Sequence, residues 1–139
     1  GLSYAAIVRK VQQISDIGLP NRLLALHLGN GASICGIVEG RSVATTMGYS
    51  PLDGLTMGTR AGAMDGNAVL RLADLYGIAG AARILNRESG LLGLGGASDM
   101  RALHVAGTEE ARFAVAHFCY WAMRHAGSMI AAMGGPATT

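Results

Sequence analysis

The chain has 139 residues, with 11 Lys and Arg against 9 Asp and Glu, a formal net charge of +2. That length suits one ordinary domain with its own core. So mild a charge gives no reason to expect nucleic acid or an anionic membrane surface as partner; Lys10 is the only lysine and the arginines are scattered, so there is no basic run to read as a targeting or binding tail. In chain order, residues 3–14 predict a helix: Tyr4, Ile7, Val8, Val11 and Ile14 recur at three- and four-residue steps behind Ser3 as N-cap. Gly18-Leu19-Pro20 end it. Two apolar runs of strand length then flank Gly29-Asn30-Gly31, a hairpin signal. Asn and Gly tolerate positive φ, so the chain can reverse sharply there and aim a row of backbone N–H groups at one point. Such a concavity binds anions. His27 precedes the turn, where its ring can reach the same spot. A plain structural hairpin with a half-buried histidine is the other reading of these residues.

Glu39-Gly40 make a second turn, and residues 42–45 a short third strand. A three-strand meander is a sheet edge that wants further strands beside it. Unpaired edges predict a segment that aggregates or self-associates when isolated. Residues 47–65 read as a long loop, too apolar (Met47, Tyr49, Leu52, Leu55, Met57) for disorder and therefore functional. Within it Arg60 stands between Gly58-Thr59 and Ala61-Gly62. Neighbouring glycines let backbone approach a bound group while the planar guanidinium grips an oxyanion. A surface arginine without a ligand is the alternative.

From Asn67 the pattern turns helical. Val69, Leu70, Leu72, Ala73 and Tyr76 stripe one helix, Gly77 ends it, and residues 78–87 form another. Residues 89–98 predict a second glycine-rich turn region. Asp99-Met100-Arg101 then open a short helix capped by Ser98 or Asp99, and helix starts beside glycines suit phosphate. Residues 109–133 predict a long helix closed by Gly134-Gly135-Pro136. It carries Arg112, His117, Arg124 and His125, which excludes a membrane span. Glycine, at 21 residues, is about twice its usual share and clusters at turns, where backbone must bend or approach a ligand. Cys35 and Cys119 lie far apart without metal-ligand spacing, and no signal peptide is visible. They read as two reduced core thiols of a cytoplasmic protein. No internal repeat or second domain is discernible. His104, His117 and His125 read as satisfied surface or core histidines.

Four segments in register, His27-Leu28-Gly29-Asn30-Gly31, the run from Met47 to Arg60, Ser89-Gly90-Leu91-Leu92-Gly93 and Asp99-Met100-Arg101, closely resemble the acetate kinase family of carboxylate kinases. The likeness spans nearly the whole chain. It implies an α/β fold: a fragment of the C-terminal ribonuclease-H-like (actin-like ATPase) domain, a β-meander followed by helices. Residues 1–139 would then be one partial domain, part of the nucleotide-binding domain of a longer kinase. The implied reaction converts ATP and acetate to ADP and acetyl phosphate with Mg²⁺, in a cytoplasmic homodimer.

Carried over residue by residue, the resemblance puts His27, Leu28, Gly29, Asn30 and Gly31 at the nucleotide phosphates, with His27 and Asn30 facing the transferring phosphoryl group. Arg60 matches the arginine that stabilises the transition state. Pro51 matches a proline lining the acetate-methyl pocket, and Asp99, Met100 and Arg101 match a segment near the adenosine. It also implies that a second active-site histidine, an acetate-binding arginine, a catalytic aspartate, an adenosine loop and the protein ligand of Mg²⁺ lie outside this chain, so these residues by themselves are expected to be inactive. Asp65 precedes Gly66 where the family usually has proline, and the stretch from Gly93 to Asp99 looks one residue short. A non-catalytic lobe that binds nucleotide or mediates association is the alternative, as is a fragment of a propionate or butyrate kinase.

Overall fold

The computed structural model describes residues 2–16 and 18–135. Helix α1 (Leu2–Ile14) leads into strands β1 (Arg22–Leu28), β2 (Ala32–Val38) and β3 (Arg41–Thr45). Four helices follow: α2 (Gly66–Arg87), α3 (Gly90–Gly95), α4 (Met100–Ala106) and α5 (Glu109–Ala132). The strands form one antiparallel sheet in the order β1-β2-β3. This is the expected meander followed by helices. Among the described residues the outer edges of β1 and β3 have no strand beside them.

The period of two along β1 and β2 sorts their side chains between two helices. Leu23 pairs with Ile37, Ala25 with Cys35 and His27 with Ser33, and this face packs on Tyr4, Ile7 and Val8 of α1. The alternate residues, Leu24, Ala32 and Ile34, face Met129 and Ala126 of α5 together with Leu55 and Met57 of the long loop. Gly36 lets α5 come close, since a Cβ there would stand 3.1 Å from Met133 Cγ and 3.3 Å from the Met129 carbonyl. Covered on both faces, β2 is buried over nearly its whole length. A third cluster, Leu91, Leu103, Ala111 and Ala114, joins α3 and α4 to α5.

Several expectations change. The first helix begins at Leu2, so Ser3 lies in its first turn and is not the N-cap. The β1–β2 reversal uses no positive φ at Gly29, Asn30 or Gly31, and the Gly29 amide is already bonded to the Gly31 carbonyl at 3.2 Å. Positive φ appears instead at Glu39 (49°) and Gly40 (76°), the pair that the right-handed twist of a two-residue hairpin demands. Residues 90–95 of the glycine-rich segment are helical, because Leu91 anchors them on α5 while Gly95 slips past Leu103 and Ala114. Gly77 (φ 71°, ψ 165°) breaks α2 as the sequence indicates. The stripe before it, however, leaves Leu70 67% and Tyr76 58% exposed. Cys119 is an exposed thiol, not a core one, and His125 Nε2 is buried without a hydrogen-bond partner. Pro136, expected to close the last helix, lies outside the described residues.

Candidate active site

The hairpin tip stands between two clefts. The first, about 550 Å³, is lined by His27, Gly31, Ser33, Pro51 and Arg60 with Tyr4 and Ser3 of α1. The second, about 810 Å³, is lined by Leu28, Gly29, Asn30, Met57, Phe118 and the Asp99-Met100-Arg101 segment. Strand alternation produces the division: His27 and Ser33 point to the α1 side, and Leu28 and Ala32 to the α5 side. All the residues singled out from the sequence therefore meet around one hairpin. They do not share one cavity, and His27 and Asn30 line different clefts.

Arg60 reaches the first cleft from a loop far along the chain. Its Nη1 donates to the Pro51 carbonyl at 3.3 Å and to Met57 Sδ at 3.7 Å. A Cβ added to Gly31 would lie 3.5 Å from that nitrogen, so the guanidinium touches the turn. The ion pairs among the described residues are Arg71–Asp74 and Arg83–Glu88. Arg60 thus has no carboxylate partner there, and both of its hydrogen bonds run from Nη1 to neutral acceptors. A half-buried guanidinium in that condition is an anion site in waiting.

Backbone bonds hold this arginine in place. The Met57 amide donates to the Arg60 carbonyl at 3.1 Å, Ser89 to Thr59 at 3.0 Å, Ala61 to Leu85 at 3.0 Å and Leu91 to Met57 at 2.9 Å. Thr59 Oγ1 adds a bond to the Asn86 carbonyl at 3.0 Å. The clamp depends on Gly90, at φ 65°: a Cβ there would sit 2.1 Å from the Met57 carbonyl oxygen and 2.7 Å from that of Arg60. Gly90 stood in a recognised segment, but nothing in the sequence reveals that its missing side chain makes room for a loop thirty positions away.

His27 Nε2 would be 3.2 Å from a Cβ at Gly29, so the ring lies back over the turn. Across the ladder, Ser33 Oγ is 2.7 Å from the Tyr4 hydroxyl. Burial raises the pKa of Tyr4 above the ordinary tyrosine value, opposed by the bond to Ser33. Both residues escaped sequence reasoning, which treated Tyr4 as helix stripe. The available signal was that Ser33 and His27 stand symmetrically about the turn on one face.

In the second cleft Asp99 is the N-cap of α4, its Oδ1 accepting the Ala102 amide at 2.9 Å. Met100 packs on the Leu91–Leu103 cluster, and Arg101 is exposed at the rim. Behind the Arg60 loop, His117 Nε2 is bonded to Thr56 Oγ1 at 3.2 Å, and burial lowers its pKa. No cluster of His, Cys, Asp or Glu among the described residues could hold a metal ion. None of their helices is long and apolar enough to cross a membrane.

An arginine without a carboxylate partner beside a glycine turn, with a second cleft on the turn's other side, is an arrangement that can hold anions. The sequence pattern of the acetokinase family matches residues 1–138, and the chain belongs to that family. It is 45% identical over 138 residues to acetate kinase of Methylocella silvestris, covering 97% of this chain and 34% of that protein. Against propionate kinase of Salmonella agona the identity is 42% over 132 residues, with 90% and 33% covered. The crystal structure of acetate kinase from Entamoeba histolytica superposes with a TM-score of 0.90 at 34% identity, over 97% of this chain and 37% of that one. The fold is therefore that of a partial acetate or propionate kinase. The chain spans about a third of the length of the relatives it matches.

Proposed function

We propose that these residues are one partial domain, the nucleotide-binding part of a carboxylate kinase that converts ATP and acetate to ADP and acetyl phosphate. The observation that carries this reading is the Arg60 guanidinium, without a carboxylate partner, against Gly31 in the first cleft, with the second cleft on the other side of the hairpin. Phosphoryl transfer needs no nucleophile from the protein, because an acetate oxygen attacks the γ-phosphorus while the bond to the β-bridging oxygen breaks. The transition state is loose, and its charge spreads over the equatorial oxygens. Catalysis is then positioning and electrostatic stabilisation. In this reading Arg60 takes the equatorial charge, His27 approaches the moving phosphoryl group from the acceptor cleft and Asn30 from the nucleotide cleft. The Leu28-Gly29-Asn30-Gly31 turn holds the phosphates, and Asp99, Met100 and Arg101 border the adenosine. Pro51 sides with the acetate methyl.

Mg²⁺ neutralises phosphate charge when it accompanies ATP. In the family resemblance the protein ligand of the metal lies in a part of the complete enzyme beyond these residues. Acetate is the acceptor we favour over propionate, from which it differs by one methylene and about 1–3 kcal/mol of discrimination. We further infer a cytoplasmic homodimer. The free thiols Cys35 and Cys119 support the compartment, and the exposed Tyr76 and Ile78 of α2 support the association. Incubating the complete enzyme with ATP, Mg²⁺, acetate and hydroxylamine should yield acetyl hydroxamate. An enzyme with an intact melting transition and no hydroxamate would overturn the reading.

A further inference from the structure

The first cleft carries a hydroxyl pair that the mechanism above leaves idle. Tyr4 Oη from α1 and Ser33 Oγ from β2 are 2.7 Å apart, and both residues line the cavity that Arg60 enters. Each hydroxyl owns one proton, and one proton makes the bond between them. The bond between them leaves the second proton over. Ser33 is 6% exposed, so this spare donor is held on a buried strand and not on a mobile surface chain. Packing of Ile7 and Val8 against Ile37 and Cys35 brings the tyrosine to the same place.

We propose that the Tyr4–Ser33 pair is a carboxylate-binding element, presenting one neutral hydrogen-bond donor to the short-chain carboxylate acceptor in the cleft that Arg60 enters. This rests on the kinase reading. A hydroxyl donor suits a carboxylate that must attack: a charge-assisted bond fixes one oxygen, while a neutral donor leaves the other oxygen its electron density. The pair is also redundant. Either hydroxyl can donate to its neighbour and leave the other proton for the substrate, so deleting one still leaves a donor.

That redundancy gives the test its signature. In the complete enzyme, Tyr4→Phe and Ser33→Ala should each leave the KM for acetate within about twofold, whereas the double variant should raise it about tenfold or more, as loss of a hydrogen bond to a charged group does. The KM for ATP should stay within about twofold throughout, because the nucleotide occupies the other cleft. A purely structural pair would instead move the KM values for acetate and ATP together. An unchanged acetate KM in the double variant, or an equal rise for ATP, overturns the proposal. Saturation-transfer NMR of acetate on the same proteins without ATP reads binding apart from turnover. Acetate bound by the unaltered enzyme and lost in the folded double variant supports the pair even where hydroxamate never forms, an outcome that sinks only the kinase reading. Acetate retained by the double variant overturns the pair.

Discussion

The two clefts on either side of the hairpin are built in opposite ways. The first takes its charge from a long-range element: Arg60 sits on a loop bonded to the α2–α3 junction, and its guanidinium is left without a carboxylate. The second is assembled from a local signal, a helix start whose one acidic residue already serves as a cap. A charged group kept unpaired by a rigid scaffold is poised to stabilise charge that develops during reaction. A charged group spent on its own helix can shape a binding wall but has little left for chemistry. In the proposed reading this difference divides the labour, with reactivity assigned to the first cleft and recognition of the nucleotide's far end to the second.

The largest test of that division is Arg60→Ala. Turnover of the complete enzyme should fall by about 10³-fold or more, with nucleotide affinity nearly unchanged, measured as kcat against the ATP dissociation constant. Near-normal turnover would erase the distinction between the clefts. Gly90→Ala attacks the scaffold itself. A side chain there collides with the Met57 and Arg60 carbonyls at positive φ, and Met57 and Gly58 also wall the second cleft. It should cost about 1–3 kcal/mol in denaturant unfolding and, by displacing the guanidinium, about 10²-fold in kcat, with ATP binding weakened as well. Equal effects from both variants would mean that Arg60 also holds the nucleotide.

A smaller effect is expected from Asp99→Ala. Loss of the α4 cap should lower stability by about 1 kcal/mol in the same unfolding assay, and asparagine should restore most of it. A kcat collapse without destabilisation would move chemistry into the second cleft. The smallest is a pH effect behind the Arg60 loop, at His117. Burial lowers the pKa of His117, so below the ordinary histidine value near 6.5 the unfolded chain binds this proton more readily than the folded one. Stability from this residue is present above that value and declines as pH falls through the folded pKa. His117→Gln should flatten the dependence of Tm on pH between about 5 and 7. An unchanged slope would contradict it.

Much of the architecture was legible in the residues. Apolar runs of strand length on either side of Gly29-Asn30-Gly31 state a hairpin, the three- and four-residue steps state helices, and Gly77 states a break. The glycine-rich stretch after Ser89 misled, because its helix is stabilised by Leu91 on α5 and by the space Gly95 leaves for Leu103 and Ala114. No local preference predicts that. The exposed Leu70 and Tyr76 show the same limit: a stripe announces a helix but not what, if anything, covers it. Within the site, His27 and Arg60 stood out through their neighbours, while Tyr4 and Ser33 look like any helix and strand residue.

By itself the sequence determined periodicity, turns and caps, all of which depend on residues a few positions apart. Segments matching a kinase family added which side chains belong together. Only the tertiary structure decided that Arg60 meets Gly31, that Gly90 must lack a side chain and that His27 and Asn30 open onto different clefts. Those facts arise where backbones distant in sequence close on each other within van der Waals distance, and such contacts are set by packing of whole elements rather than by the residues that happen to touch.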